Sequence, residues 1–178
     1  MQPTSSLPAA LKDIIRDIPD FPKKGIIFKD ITPLLKNARA FHQAIDILAD
    51  HLSKQKIDLI VGIESRGFIF SPVLAYKLNV GFIPVRKKGK LPHKTEEESY
   101  SLEYGEAVLE IHQDAVARGA RVAIVDDLLA TGGTALAAAK LIEKLGGEVV
   151  CMGFLIELAF LNGREKLAKY PTSAVITY

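Results

Sequence analysis

Arg121-Val122-Ala123-Ile124-Val125-Asp126-Asp127-Leu128-Leu129-Ala130-Thr131-Gly132-Gly133-Thr134 changes character twice along its length. An apolar run through Val125 suits a strand covered on both faces, as in a parallel sheet. It ends in two adjacent carboxylates, Asp126 and Asp127. Then Ala130, Thr131, Gly132, Gly133 and Thr134 lead into residues 134–145, whose Ala, Leu, Lys and Glu content predicts a helix. Small residues let backbone N–H groups approach a ligand closely, and a helix start favours an anion. Thr131 and Thr134 add hydroxyl donors, so a phosphate fits. The two carboxylates would repel that phosphate and need another task. They can accept hydrogen bonds from two ribose hydroxyls, or bind Mg2+ through water. A plain turn with a capped helix explains Gly-Gly and Thr but not an acidic pair on a buried strand end. The segment therefore asks for a sugar phosphate. It is not a Walker loop, because no Gly-Lys-Ser/Thr follows.

The surrounding chain supplies the frame. Leu7, Leu11, Ile14, Ile15 and Ile18 have helical spacing behind Thr4, Ser5 and Ser6, and Pro19 closes that predicted helix. Residues 21–35, with two prolines and a glycine, read as an irregular arm. Phe41, Ala44, Ile45, Leu48 and Leu52 mark a second helix. Predicted strands at 58–63, 81–85, 121–125, 148–156 and 174–177 alternate with helical segments at 68–78 and 134–145. The fold class expected is α/β: a mostly parallel, doubly wound sheet of about five strands flanked by helices. To it belong a small N-terminal hood or arm (1–35) and a flexible lid loop (86–104), within one domain spanning 1–178. Sheets of this kind place ligands at the carboxyl ends of their strands.

Composition narrows the function. The chain has 178 residues, 48% of them apolar, with a net charge of +2, too small by itself to imply nucleic acid. Its single cysteine, Cys151, sits among Val149, Val150 and Met152 and reads as a buried thiol; one Cys and four His exclude a Cys-rich metal framework. No apolar run reaches the ~18 residues of a membrane span, and Asp13, Arg16 and Asp17 interrupt any signal-peptide core. A cytoplasmic location is the expectation.

A second site lies at Ile63-Glu64-Ser65-Arg66-Gly67-Phe68, again strand, polar turn and helix. Arg66 at a helix start can hold an anion bidentately; a surface Arg with a Ser cap reads equally well in isolation. Arg86, Lys87, Lys88, Lys90 and Lys94 put five cations into nine residues, where a departing diphosphate would be stabilised. Glu96, Glu97 and Glu98 follow at once, so a solvated loop explains any one lysine, and no aromatic residues interleave as nucleic-acid binding would need. Alternation from Ser99 to Ile111 predicts a hairpin or lid stem. Glu103 within it reads more readily as an outward strand residue than as a pocket carboxyl.

The 126–134 segment resembles the signature of type I phosphoribosyltransferases, which use phosphoribosyl pyrophosphate with Mg2+. The resemblance implies that Ala130, Thr131, Gly132, Gly133 and Thr134 hold the 5-phosphate while Asp126 and Asp127 face the ribose. It implies that Ser65, Arg66, Arg86, Lys87 and Lys90 bind diphosphate, with Arg66 and Lys87 catalytic. Phe21-Pro22-Lys23-Lys24-Gly25-Ile26-Ile27-Phe28-Lys29-Asp30-Ile31-Thr32-Pro33 is similar to the purine-covering segment of the adenine phosphoribosyltransferases, as are 86–92, 99–105 and 157–167. That likeness, spanning about 160 residues, implies that Phe28 stacks on adenine and that Ile27 and Lys29 offer backbone groups to its edge. Leu158 would form the opposite wall. Glu103 would carry a proton as a catalytic residue, and Tyr104 would belong to the lid. Mg2+ would arrive with the substrate and have no direct protein ligand. A homodimer is expected, with small-molecule substrates and neither nucleic acid nor membrane as partner. The other readings are transfer to hypoxanthine or guanine, and a non-catalytic phosphoribosyl-pyrophosphate sensor.

Overall fold

The computed structural model describes residues 7–101 and 106–178. The chain divides into two compact units, residues 1–47 and 48–178.

The first unit departs from its sequence reading. Helix α1 covers only Leu7–Lys12, and the predicted continuation to Pro19 is instead strand β1, Arg16–Pro19. The cause is a partner: β1 pairs antiparallel with β2, Ile27–Asp30, placing Arg16 opposite Asp30 and Asp17 opposite Lys29. Both cross-strand charge pairs close, at 2.9 and 2.7 Å, which favours this register over a helix. The arm is therefore a hairpin followed by helix α2, Thr32–Lys36, which has a proline in its first turn. Helix α3, Ala38–Leu52, appears as the apolar spacing predicts.

The second unit carries strands β3 (Leu59–Ile63), β4 (Gly81–Lys87), β5 (Thr95–Ser101), β6 (Glu106–His112), β7 (Arg121–Leu129), β8 (Glu148–Glu157) and β9 (Thr172–Thr177). Helices α4 (Gly67–Leu78), α5 (Gly133–Lys144) and the short α6 (Gly163–Lys166) lie between them. Among the described residues the sheet has seven strands, in the order β5-β6-β4-β3-β7-β8-β9. The five expected strands are its parallel part. The other two, β5 and β6, form an antiparallel hairpin that joins β4 at the edge. Most of the second half of the stretch read as a lid loop is thus strand β5. Its acidic run is not simply solvated: Glu98 pairs with Lys140 and Lys144 on α5, at 3.0 and 2.9 Å. The core gathers Val61, Ile63, Val85, Ile124, Met152 and Phe154 from the sheet with Ala138, Leu141 and Ile142 from α5.

Register positions the site. Gly62 on β3 lies beside Val125 on β7, so the turn after Ile63 meets the Asp126–Asp127 pair at the carboxyl end of the sheet. β7 also runs beyond the expected Val125 to Leu129, because β8 stays in register alongside as far as Glu157. Both aspartates are strand residues rather than the start of a turn.

Candidate active site

The loop after β7 owes its shape to two glycines. Gly132 has φ +79°, a left-handed conformation that favours glycine, and a side chain there would begin 2.5 Å from the Gly163 carbonyl oxygen. Gly163 in turn has room for no Cβ, which would lie 2.1 Å from the Ala130 carbonyl oxygen. The loop is therefore pressed against the start of α6. α6 is held by Glu157, a carboxylate only 6% exposed, which accepts from Nε of Arg164 at 2.9 Å and from its Nη2. Arg164 Nη1 also donates to the Thr172 carbonyl at 2.6 Å. Gly132 caps α5, whose first-turn N–H groups lack partners within the helix and point toward this loop. Asp126, Ala130, Thr131, Gly132 and Thr134 line the resulting hollow.

Beside it lies a cavity of about 300 Å3, lined by Glu64, Ser65, Arg66, Lys87, Tyr100, Asp126, Asp127, Ala130 and Thr134 among others. Arg66 stands at the start of α4, and its Nε contacts Asp127 Oδ2 at 2.9 Å. The Asp127 N–H donates to Asp126 Oδ1 at 2.9 Å. Gly67 allows α4 this close, since a Cβ there would sit 2.7 Å from Asp126 Oδ1. Burial raises Asp126 well above the ordinary carboxylate range, and the neighbouring Asp127 adds to the rise. Burial raises Asp127 too, against the lowering effect of Arg66. Two such acids favour a ligand that brings hydroxyl donors or positive charge.

The structure thus gathers Ser65, Arg66, Lys87, Asp126, Asp127, Ala130, Thr131, Gly132 and Thr134 around two adjoining hollows. Gly133 faces a neighbouring recess with Ser99 and Tyr100. Arg86 is not among the residues lining either hollow: its Nε donates to Glu64 Oε2 at 2.9 Å and its Nη1 to the Lys90 carbonyl at 3.2 Å. Lys90 itself is exposed. Ile27, Phe28 and Lys29 lie on β2 of the first unit, where Phe28 meets Phe21 edge-on at 5.2 Å between ring centroids. Leu158 directly follows β8 in the second unit and donates its N–H to the Leu129 carbonyl at 2.9 Å. Glu103 and Tyr104 lie outside the described residues. The Glu64–Ser65 and Phe21–Pro22 peptides are cis.

Sequence reading passed over Glu64, Glu110 and Gly163. Glu64 takes Arg86 and also the Lys87 N–H, at 3.2 Å. Glu110 accepts the N–H groups of Lys90 and Leu91, both at 2.7 Å. An acid inside the apolar run Val108-Leu109-Glu110-Ile111 was the available signal for the second.

A phosphoribosyl transferase domain matches residues 31–174. The adenine phosphoribosyltransferase of Brachyspira hyodysenteriae is 62% identical over 168 residues, which is 94% of this chain and 99% of that protein. The crystal structure of adenine phosphoribosyltransferase from Thermoanaerobacter pseudethanolicus superposes with a TM-score of 0.94 at 58% identity, covering 97% of this chain and 100% of that one. The Saccharomyces cerevisiae enzyme, complexed with an imino-altritol bisphosphate and adenine, gives 0.90 at 43% identity, covering 96% and 99%. Cradle, acidic pair and full-length likeness agree, and the chain belongs to the phosphoribosyltransferase family, among its adenine phosphoribosyltransferases.

Proposed function

We propose that this chain transfers the phosphoribosyl group of 5-phospho-alpha-D-ribose 1-diphosphate to adenine, forming AMP and diphosphate in purine salvage. The observation that carries the reading is the Asp126–Asp127 pair beside the phosphate-shaped loop, with Arg66 2.9 Å from Asp127 in the same cavity. In this reading the 5-phosphate meets Ala130, Thr131, Gly132, Gly133 and Thr134, where amides of α5 and two hydroxyls converge. The ribose hydroxyls donate to Asp126 and Asp127. The diphosphate extends toward Ser65, Arg66 and Lys87, with Arg86 and Lys90 adding positive charge behind them.

The bond from the anomeric carbon to diphosphate lengthens first. Arg66 and Lys87 stabilise the negative charge that develops on the leaving group. Adenine nitrogen then bonds to that carbon from the opposite face, and adenine's displaced proton passes to Glu103. For adenine the reading assigns Phe28 as the stacking ring and Leu158 as an apolar contact. Ile27 and Lys29, both on β2, would offer a backbone donor and acceptor to the adenine edge. A donor–acceptor pair of that kind rejects 6-oxopurines by leaving polar groups unpaired. The reading also assigns Tyr104 a part in keeping water from the reactive sugar.

The acidic pair also fits Mg2+. Burial makes both carboxyls hold their protons more tightly, and the neighbouring Asp127 adds to the rise at Asp126; a divalent charge nearby favours their ionised forms. Mg2+ would be carried in by the substrate, with Asp126 and Asp127 facing the ribose beside it and no direct protein ligand. When bound, Mg2+ supplies charge neutralisation of the diphosphate.

We also read the protein as a cytoplasmic homodimer. Tyr76, 90% exposed, and Val73 on α4, with Phe82 on β4, offer apolar surface for a partner. No helix of the described residues is long and apolar enough to cross a membrane. Sedimentation tests the dimer. The activity is tested by incubating purified protein with adenine, Mg2+ and phosphoribosyl diphosphate. AMP is expected, with adenine consumed ahead of hypoxanthine and guanine in competition; no AMP overturns the proposal.

A further inference from the structure

We infer that Glu110 is a positioning residue of the diphosphate site, acting through the backbone of the turn that carries Lys87 and Lys90. Glu110 stands on β6 directly opposite Arg86 on β4 and is only 3% exposed. A buried carboxylate is costly unless its oxygens are matched by donors. Here the donors are successive main-chain N–H groups: Lys90 and Leu91 both reach Oε1 at 2.7 Å. Together with the Gly89 N–H they hold its carboxyl below the usual range in spite of burial, so it remains an anion. Gly89, with φ +82°, lets the chain fold back over the acid. Convergent amides of this kind form a concavity that ordinarily receives a phosphate or another external anion. In this turn the protein fills it with its own carboxylate.

Two consequences follow. The turn's amides are occupied: Lys87 N donates to Glu64, Lys88 N to the Val108 carbonyl at 3.1 Å, and Lys90 and Leu91 to Glu110. A diphosphate approaching this side meets lysine side chains, not backbone, unlike the 5-phosphate at α5. The placing of those side chains is then set from beneath by Glu110, and from the other flank by Glu64 and Arg86. Lys87 already lines the cavity with Arg66 and Asp127. The inference rests on the reading of Lys87 and Lys90 as diphosphate ligands, which needs its own arm in the test.

Steady-state kinetics with adenine and phosphoribosyl diphosphate should be measured for the parent protein, Lys87→Ala, Glu110→Ala, Glu110→Gln and Glu110→Asp, each with a thermal melt. Loss of the anchor in Glu110→Ala should raise KM for phosphoribosyl diphosphate roughly tenfold and lower kcat, while KM for adenine stays within about twofold, because misplacement of charged groups is felt where they act. Glu110→Gln keeps an oxygen acceptor for both N–H groups and should recover most of the loss. Glu110→Asp keeps the charge but draws it back by one methylene, so it should move the same KM in the same direction; it serves where the alanine variant does not fold. A lowered melting temperature with both KM values and kcat unchanged overturns the inference, as does an equal rise in the two KM values. If Lys87→Ala leaves KM for phosphoribosyl diphosphate unchanged, the reading of the diphosphate site falls, and the role of Glu110 with it.

Discussion

Gly163→Ala adds one methyl group, and the structure says where it must go. The new carbon would start 2.1 Å from the Ala130 carbonyl oxygen and 3.0 Å from both its carbonyl carbon and the Gly132 nitrogen. Ordinary carbon–oxygen contacts need about 3.3 Å or more, so one partner must retreat by roughly 1 Å. Gly163 is poorly placed to yield, because its neighbour Arg164 is fastened to the buried Glu157 and to the Thr172 carbonyl. The residues that yield are then 130–132, the floor of the proposed 5-phosphate site. A displacement of about 1 Å in a positioning element is worth on the order of 100-fold in rate, or ~2.7 kcal/mol. Overpacking adds about 1–3 kcal/mol of lost stability, which lowers Tm by roughly 2–12 °C in a chain of this size.

The assay is kcat and KM for phosphoribosyl diphosphate, with a melt on the same preparation. The control is Gly81→Ala, at the far end of the sheet. Its Cβ also clashes, at 2.7 Å, but only with the tip of the Leu59 side chain, which can rotate away. We expect kcat/KM to fall about 100-fold in the first variant and less than about threefold in the second. A folded Gly163→Ala protein within about threefold of the parent would mean that residues 130–132 do not shift, or that their position does not matter for turnover. Equal losses in the two variants would also overturn the prediction, since the effect would then be general strain and not the loop.

Other substitutions probe other parts of the site. Asp126→Asn should abolish turnover yet leave the fold as stable as the parent, or more so, near neutral pH. The folded-state carboxyl has a raised pKa, so its ionisation opposes folding as pH climbs above the unfolded value, and an amide removes that opposition; a melt run across pH checks the sign. Phe28→Ala should raise KM for adenine about 5- to 150-fold, from stacking worth ~1–3 kcal/mol, and leave KM for phosphoribosyl diphosphate nearly unchanged; the two KM values measured side by side decide it. Cys151 is buried and its thiol is pushed up to about 11, so at pH 8 roughly one molecule in a thousand carries thiolate. A thiol reagent should therefore label the protein only after denaturant is added, and fast labelling of the native protein would contradict the burial.

The parallel strands and the longer helices are legible because each carries its own pattern: continuous apolarity at 59–63 and 122–125, helical spacing from Phe41 to Leu52. The N-terminal hairpin was not legible. Arg16 and Asp17 find Asp30 and Lys29 a dozen or more residues away, and no local window reports a pairing partner. The same contrast divides the site. The phosphate loop was readable because its groups are consecutive; binding there uses the backbone of one turn, so its requirements are written as one run, Ala130-Thr131-Gly132-Gly133-Thr134. The groups that hold the basic turn in place are carboxylates from separate parts of the chain, Glu64 in the turn after β3 and Glu110 on β6. Gly163, which limits how far the phosphate loop can move, lies beyond β8. Each looks ordinary alone: an acid in a strand, a glycine before a helix. Their roles come only from what the sheet order brings beside them. Where a ligand is held by backbone the sequence names its site, and where it is held by side chains set from several strands the sequence names the ligands and omits their supports.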